Sequence, residues 1–232
     1  MSYSQIHREL VRLGTPARVT VSKRYFKTDL GEYGHGDKFL GLSVPAVRSV
    51  ARAHRDLPLR EVTVLLESEW HEERQLALLI LVDQYRRGDQ PVRDAIHTLY
   101  LRSAKYVNNW DLVDCSAAYL VGPHLPPGKR GLLTRLAKSN DIWERRIAML
   151  STLSYIKQGE FADTLRIATL LLEDEEDLIH KAVGWMLREV GNRDREVEER
   201  FLRQHAHQMP RTMLRYAIEK FPEHTRRHYL GL

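Results

Sequence analysis

The sequence predicts an all-α protein, built as a single-domain α-solenoid (superhelix) of HEAT-like helical repeats. Apolar residues recur at helical spacing, no stretch alternates apolar and polar residues over a useful length, and similar helical segments return after 34 and 35 residues. With 232 residues, 43% of them hydrophobic, the chain can form a substantial core. We expect one domain over residues 1–232, with N-terminal helices in 1–60 and regular repeats in 61–232.

The first two helices are predicted from short patterns. A helix over residues 4–13 places Ile6, Leu10 and Leu13 on one apolar stripe. A second helix is expected over residues 16–26.

A glycine-rich stretch over residues 28–37 follows, and it predicts a loop in which glycines supply positive φ angles. It is not a phosphate-binding P-loop, because no Gly-Lys-Ser/Thr follows it. Pro45 then suits the first residue of a helix that runs through Ala53. From residue 60 onwards helix follows helix, and the pattern is broken at 88–91, 122–123, 126–128, 159 and 191–192.

The later helices repeat one another. Segment 74–79 is similar to 145–150, and segment 180–185 is similar to 214–218. Each carries a small residue at a matching place: Ala77, Ala148, Ala182 and Ala217. Because paired helices must approach closely, we interpret these alanines as packing positions.

The same segments also carry a cation at a matching place: Arg74, Arg146, Lys181 and Arg215. Matching positions on consecutive repeats line one face, so these cations could form a basic row that fits a phosphate backbone. The alternative, that each cation caps or pairs with a neighbouring helix, stays open. The charge distribution adds weak support for a polyanion, since residues 1–60 carry +6, 61–180 carry −5 and 181–232 carry +4, which together give the net +5.

Residues 107–114 hold the densest group of candidate functional side chains. Asn108 or Asn109 can serve as an N-cap, and a helix that begins there places Trp110, Asp111 and Asp114 on one side. The structural alternative is that the aspartates complement the helix dipole and the tryptophan lies in the core. Trp143 and Trp185 stand near the same edge of later repeats, where packing is again the more common role.

Other site classes are disfavoured. The lone Cys115 excludes an internal disulfide and a cysteine-rich metal site, and the 11 histidines show no His-Glu-x-x-His spacing. We therefore expect no metal site. A carboxylate beside Cys115 raises a thiol pKa, which favours a structural cysteine. The acidic run 173–177 predicts a solvated turn.

No segment approaches the roughly 20 apolar residues that span a bilayer, and the N-terminus lacks the apolar region of a secretory signal. We expect a cytoplasmic protein without membrane contact.

Five stretches, in order and spacing, carry a resemblance to a known family: residues 25–27 with 39–48, 110–114, 141–146 and 181–189. On these the chain resembles the AlkD family of bacterial DNA alkylation-repair glycosylases, which are built from HEAT-like repeats. The resemblance implies a DNA-3-methyladenine/7-methylguanine-type glycosylase of base excision repair. Such an enzyme hydrolyses the N-glycosidic bond of cationic N3- or N7-alkylated purines in duplex DNA without flipping the base. It also implies no cofactor, and we expect a monomer associated with the bacterial nucleoid.

The resemblance also implies residue roles. Asp114 matches the catalytic aspartate, and Trp110 and Trp185 match the tryptophans that flank the deoxyribose of the lesion. The predicted DNA-binding residues are Arg146, Arg188, Arg215, Lys181, Arg145 and Arg211. The chain departs from the family at Asn109, where the family often has a tryptophan.

Two other functions remain open. The first is a non-catalytic relative that recognises DNA structure, since some relatives bind DNA without glycosylase action. The second is a protein–protein scaffold, the commonest use of helical repeats, which leaves the grouping of Trp110, Asp114 and Arg146 unexplained.

Overall fold

The computed structural model describes residues 3–231, which are helical with short connections. The helices fall into two compact units that meet in the sequence between Ser116 and Ala117. The first unit contains α1 (Tyr3–Leu13), α2 (Pro16–Tyr25), α3 (Val44–Ala53), α4 (Leu59–Leu66), α5 (His71–Arg87), α6 (Gln90–Arg102), a 3₁₀ turn (Ala104–Tyr106) and α7 (Trp110–Asp114). That both units belong to one repeat domain stays a prediction.

The second unit contains α8 (Ala117–Leu120), a 3₁₀ turn (Gly122–His124), α9 (Gly131–Ala137), α10 (Ile142–Ser151), α11 (Leu153–Ile156), α12 (Ala162–Leu170), α13 (Asp177–Gly191), α14 (Arg195–His205), α15 (Arg211–Ala217), a 3₁₀ turn (Ile218–Lys220) and α16 (Glu223–Leu230). Across residues 3–231 the extended pairing amounts to one isolated bridge between Lys38 and Trp70. The all-α prediction is confirmed.

The N-terminal helices form largely where the sequence predicts them. In α1, Ile6 and Leu10 of the predicted apolar stripe are buried, whereas Leu13, the last residue of the helix, is 47% exposed. Pro45 lies in the first turn of α3, whose N-cap is Ser43.

The glycine-rich loop has the predicted conformation in part. Gly31 and Gly36 adopt φ angles of +84° and +86°, as a loop glycine can. Gly34 serves a different purpose, because a Cβ there would overlap the carbonyl oxygen of Phe26. The loop therefore folds back tightly against the end of α2.

Helix α5 organises the first unit. Its apolar side chains pack against α3 and α4, and the charged residues of its first turn are buried as well. The carboxylate of Glu72 accepts the backbone N–H groups of Leu40, Gly41 and Leu42 at 2.9, 2.8 and 3.1 Å. A buried carboxylate is stable only when it is hydrogen-bonded, so this contact fixes the segment after the loop onto α5.

Glu73 ties α1 to the same turn. Its carboxylate accepts hydrogen bonds from the Tyr3 hydroxyl at 3.1 Å and from the Ser68 hydroxyl, and His7 Nδ1 lies 2.6 Å from Oε1. Since Glu73 is fully buried, losing these partners would leave a charge unsatisfied.

Helix α13 organises the second unit and packs against α10 and α15. The repeated alanines Ala148, Ala182 and Ala217 are fully buried on these three helices, and Ala77 is fully buried on α5. The prediction that they are packing positions is confirmed.

Gly184 marks the closest approach in the second unit, because a Cβ there would overlap the carbonyl oxygen of Met213 on α15. We expect Gly184→Ala to lower the free energy of unfolding by about 1–3 kcal/mol, since the two backbones must separate. Gly131→Ala is the matched control, because an added Cβ at Gly131 meets no atom within 4 Å. Urea unfolding of both variants measures the difference. Equal stability of the two variants would contradict the close approach.

Candidate functional site

The candidate site is centred on α7, a helix of five residues. Asn109 is its N-cap, as predicted, and the side-chain oxygen accepts the Trp110 N–H at 2.9 Å. Leu112 and Val113 are fully buried, whereas Trp110 and Asp114 are half-buried. The short helix thus presents an indole and a carboxylate four residues apart at a partly accessible position.

Asp111 belongs to a buried network beneath α7. Its Oδ2 lies 2.9 Å from His71 Nε2 and accepts a hydrogen bond from Gln75 Nε2 at 2.9 Å. His71 Nδ1 lies 3.0 Å from Oδ2 of Asp37, which ends the glycine-rich loop. Asp111 is therefore held inside the protein, and it differs in role from Asp114.

Asp37 has two further partners. Arg74 Nη2 donates to its Oδ1, and Asn109 Nδ2 donates to its Oδ2 at 3.3 Å. The N-cap of α7 is thereby bonded to the loop, and the guanidinium of Arg74 is buried with the acid that it neutralises.

His71 is a cation in this arrangement. Both ring nitrogens face carboxylate oxygens, so both must carry a proton to donate. Burial lowers the pKa of His71, but the carboxylates of Asp111 and Asp37 outweigh it and raise the pKa to about 9. Burial raises the pKa of Asp37, yet the hydrogen bond from His71 and the charge of Arg74 lower it overall. Two cations and two anions thus balance in the interior.

Aromatic rings connect the network to Trp110. The rings of Phe26 and Phe39 lie 4.7 and 4.9 Å from the His71 ring between centroids. The Phe26 ring also lies 5.6 Å from the ring of Trp110, and Tyr25 meets Trp110 edge-on at 5.7 Å. Tyr25 is 62% exposed, so this aromatic group reaches the surface beside Trp110.

The sequence did not predict this network. Asp37 lies in a segment that the sequence analysis interprets only as a loop, and His71 is one of 11 histidines. The one available signal was the run His71-Glu72-Glu73-Arg74 directly before an apolar helix, but charges in a first turn are usually solvated.

Cys115 has the predicted character. Burial raises the pKa of its thiol, and the charges of Asp111 and Asp114 raise it further. Its Sγ donates to the Leu112 carbonyl at 3.4 Å, so the thiol is an inert structural group.

Several of the predicted DNA-binding cations are held within the protein. Arg146 is 4% exposed, and its Nη1 donates to the Leu178 carbonyl at 2.5 Å. Arg145 donates from Nε to Asp174 at 2.6 Å and from Nη1 to the carbonyls of Ser139 and Asn140 at 3.0 and 3.1 Å. In the first unit, Arg74 is buried against Asp37, so its predicted place in a surface row of cations is wrong.

The other predicted cations lie nearer to solvent. Lys181 pairs with Asp177 at 2.7 Å along α13, and Arg188 pairs with Glu219. Arg211 and Arg215 on α15 are exposed, and within residues 3–231 neither forms a hydrogen bond or ion pair through its side chain.

The tryptophans of the second unit differ in exposure. Trp143 is buried and packs in the core, as predicted. Trp185 is half-buried, and its indole Nε1 donates to Glu189 Oε1 at 3.0 Å.

The acidic run 173–177 is exposed as predicted except at Asp174, which lies inward against Arg145.

Comparison with known proteins identifies the family. The sequence matches the family of DNA alkylation repair enzymes over residues 6–221. The chain belongs to this family. A solved structure described as a predicted DNA alkylation repair enzyme from Enterococcus faecalis has the same fold, with a TM-score of 0.69 and 16% identity over 90% of this chain and 97% of that one. The predicted helical-repeat fold class is confirmed by this similarity. A search of curated proteins found no match.

Two kinds of feature are absent from residues 3–231. These residues contain no helix that is both long and apolar enough to cross a bilayer. They also contain no group of three or more His, Cys, Asp or Glu side chains arranged to hold a metal ion.

The internal bonds of Arg145 predict a structural contribution. We expect Arg145→Ala to lower the free energy of unfolding of the protein by about 1–3 kcal/mol, because it leaves Asp174 and two carbonyls without their donor. Arg211→Ala, which removes an exposed cation of the same unit, should leave stability unchanged. Thermal and urea unfolding measure both, and an Arg145→Ala protein as stable as the parent would contradict the assignment.

Proposed function

We propose that the protein is a DNA glycosylase of base excision repair, which hydrolyses the N-glycosidic bond of cationic N3- and N7-alkylated purines in duplex DNA. The observation that carries the proposal is the pair Trp110 and Asp114, both half-buried on one capped helix, in a member of the DNA alkylation repair enzyme family. The assignment of Trp185 rests on the resemblance to the AlkD family.

The chemistry needs few groups. In 7-methylguanine the C1′–N9 bond breaks with its electron pair going to the base, which leaves as a neutral purine. Positive charge then develops on the sugar, and water adds at C1′ with loss of a proton. A carboxylate beside C1′ stabilises that charge and can orient the water, so we assign this role to Asp114. No metal or cofactor is required.

Indole rings stabilise the same charge. Each ring face attracts a cation by about 0.5–2 kcal/mol, depending on desolvation, and we assign this role to Trp110 and Trp185. If the protein contacts only the sugar and the phosphate backbone of the lesion, it does not select the base by its shape. We therefore propose that the base is not flipped into a pocket, in contrast to most glycosylases.

Duplex binding is assigned to exposed cations. Arg211 and Arg215 have donors available for phosphate, whereas Lys181, Arg188, Arg145 and Arg146 must share or exchange an internal partner to reach one. Helix α2 adds Arg18, Lys23 and Arg24 without any acid, and it has no buried residue. We propose that the monomeric protein acts on nucleoid DNA in the bacterial cytoplasm.

The catalytic assignment predicts that Asp114→Asn retains affinity for duplex DNA but loses release of 7-methylguanine by at least about 100-fold, as expected for a group that stabilises transition-state charge. Single-turnover incubation with N-methylated duplex DNA, with detection of freed purine, measures it. Asp56→Asn, which changes an exposed acid of the first unit, is the matched control and should behave as the parent. Equal release by Asp114→Asn and parent excludes Asp114, and a parent that binds but releases nothing supports a non-catalytic DNA binder.

The binding assignment predicts that Arg215→Ala weakens duplex binding and reduces the slope of log K against log salt by about 0.9, the contribution of one phosphate contact. Arg200→Ala removes an exposed cation that pairs with Glu196 on its own helix, and it should leave the slope unchanged. Fluorescence anisotropy over a salt series measures both. An unaltered slope for Arg215→Ala places that residue outside the interface.

A further inference from the structure

We propose that His71 is a positioning residue of the α7 site: held between Asp37 and Asp111 and against Phe26, it sets the direction in which Trp110 and Asp114 project. The link to base release rests on the proposed function, but the geometric claim does not.

The need for such a residue follows from the length of α7. A helix of five residues makes few internal hydrogen bonds and does not persist on its own, so its orientation depends on tertiary contacts. Leu112 and Val113 anchor it by apolar packing, which holds position but gives little direction. Directional contact comes from Asp111, whose Oδ2 meets His71 Nε2 and Gln75 Nε2 at 2.9 Å each.

Within the buried network, His71 is the residue that connects three separate segments: the glycine-rich loop, α7 and the end of α2. Through Nδ1 it reaches Asp37 at the end of the loop, and Asp37 in turn accepts from Asn109, the N-cap of α7. Through its ring it contacts Phe26, which contacts Trp110. Helix α7 is thus held at its cap, at Asp111 and at its indole, and each route passes through His71 or a direct partner of it.

The charges that face His71 come from three elements. Asp37 belongs to the loop, Arg74 to α5 and Asp111 to α7, while Phe26 and Phe39 cover the ring. When His71 loses its proton, one of the two carboxylates loses its hydrogen-bond donor, and Arg74, which pairs with Asp37, is the cation that remains in the network. Because the pKa of His71 is raised to about 9, this change falls in a range that can be measured.

The pKa of His71 in the folded state lies above its unfolded value near 6.5, so the protein takes up a proton on folding at any pH between the two pKa values. The stabilisation by His71 is complete below pH 6.5 and is lost as the pH rises through 9. The thiol of Cys115 does not titrate in this window, because burial raises its pKa well beyond it.

The test follows Trp110 emission, obtained as the difference between a protein and its Trp110→Phe counterpart. In the parent we expect emission that is constant from pH 6 to 8 and changes with a midpoint near 9. The transition should be absent in His71→Gln and should persist in Tyr25→Phe, which keeps the ring that touches Trp110 and removes only its hydroxyl.

The matched control is His54→Gln. His54 also pairs with a carboxylate of the first unit, Glu9, at 2.7 Å, but it has no contact with α7 among its hydrogen bonds or ion pairs. We expect a smaller loss of stability in His54→Gln, because its partner Glu9 is partly exposed, and a changed Trp110 transition only in His71→Gln.

Asp111→Asn serves as a second variant if His71→Gln does not fold. It keeps an oxygen acceptor but removes one of the two anions that raise the His71 pKa, so the emission midpoint should fall by at least about one pH unit. A role in stability alone would not move this midpoint.

Base release completes the test at a temperature well below unfolding. We expect His71→Gln to release 7-methylguanine at least about tenfold more slowly, with duplex affinity within about threefold of the parent, as misplacement of a catalytic group predicts. If the emission transition behaves as expected but the parent releases no base, the proposed function fails and the positioning role stands. If emission in His71→Gln superimposes on the parent at every pH, or the midpoint in Asp111→Asn is unchanged, the positioning role is overturned.

Discussion

Burial of charge in the first turn of α5 is the constraint on which the first unit depends. His71, Glu72, Glu73 and Arg74 are each no more than 4% exposed. A buried charge that loses its partner costs about 3–5 kcal/mol, so each of these side chains requires a partner from elsewhere in the chain. The partners come from α1, from the glycine-rich loop, from residues 40–42 and from α7. A turn of four residues therefore dictates how the segments around it assemble.

The same buried charges also determine how the proposed catalytic groups on α7 are held. Trp110 and Asp114 are carried by a helix too short to hold its own direction, and one of its two aspartates is used for anchoring. The two carboxylates of α7 thus have different roles. The charge of Asp111 is balanced by His71 inside the protein, and Asp114 lies at a partly accessible position. A charge-balanced network beneath the helix lets a carboxylate near the surface be placed accurately without itself being buried.

The cations of the second unit also fall into two groups, those bonded inside the protein and those exposed to solvent. Arg145 donates to Asp174 in the turn that precedes α13, and Arg146 donates to the carbonyl of Leu178 in the first turn of that helix, so both fix the start of α13. Arg211 and Arg215 are exposed and keep their donors. An arginine binds a DNA phosphate by displacing the counterion condensed there, and for this its side chain must reach the phosphate. The exposed arginines of α15 are therefore better placed to bind DNA than Arg145 and Arg146.

The sequence by itself determined the helices, their breaks, the repeated alanines and the Asn109 cap, because these follow from local periodicity and local hydrogen bonding. It also predicted the family, whose motifs recur over most of the chain. Only the tertiary structure decided which charges are internal. Arg74 and Arg215 occupy matching places in the sequence pattern, yet one is buried against Asp37 and the other is exposed. Asp37, His71 and Asp111 are more than 30 residues apart from one another in the chain. Their contact is invisible to any local pattern, since burial and ion pairing are set by which segments meet in space.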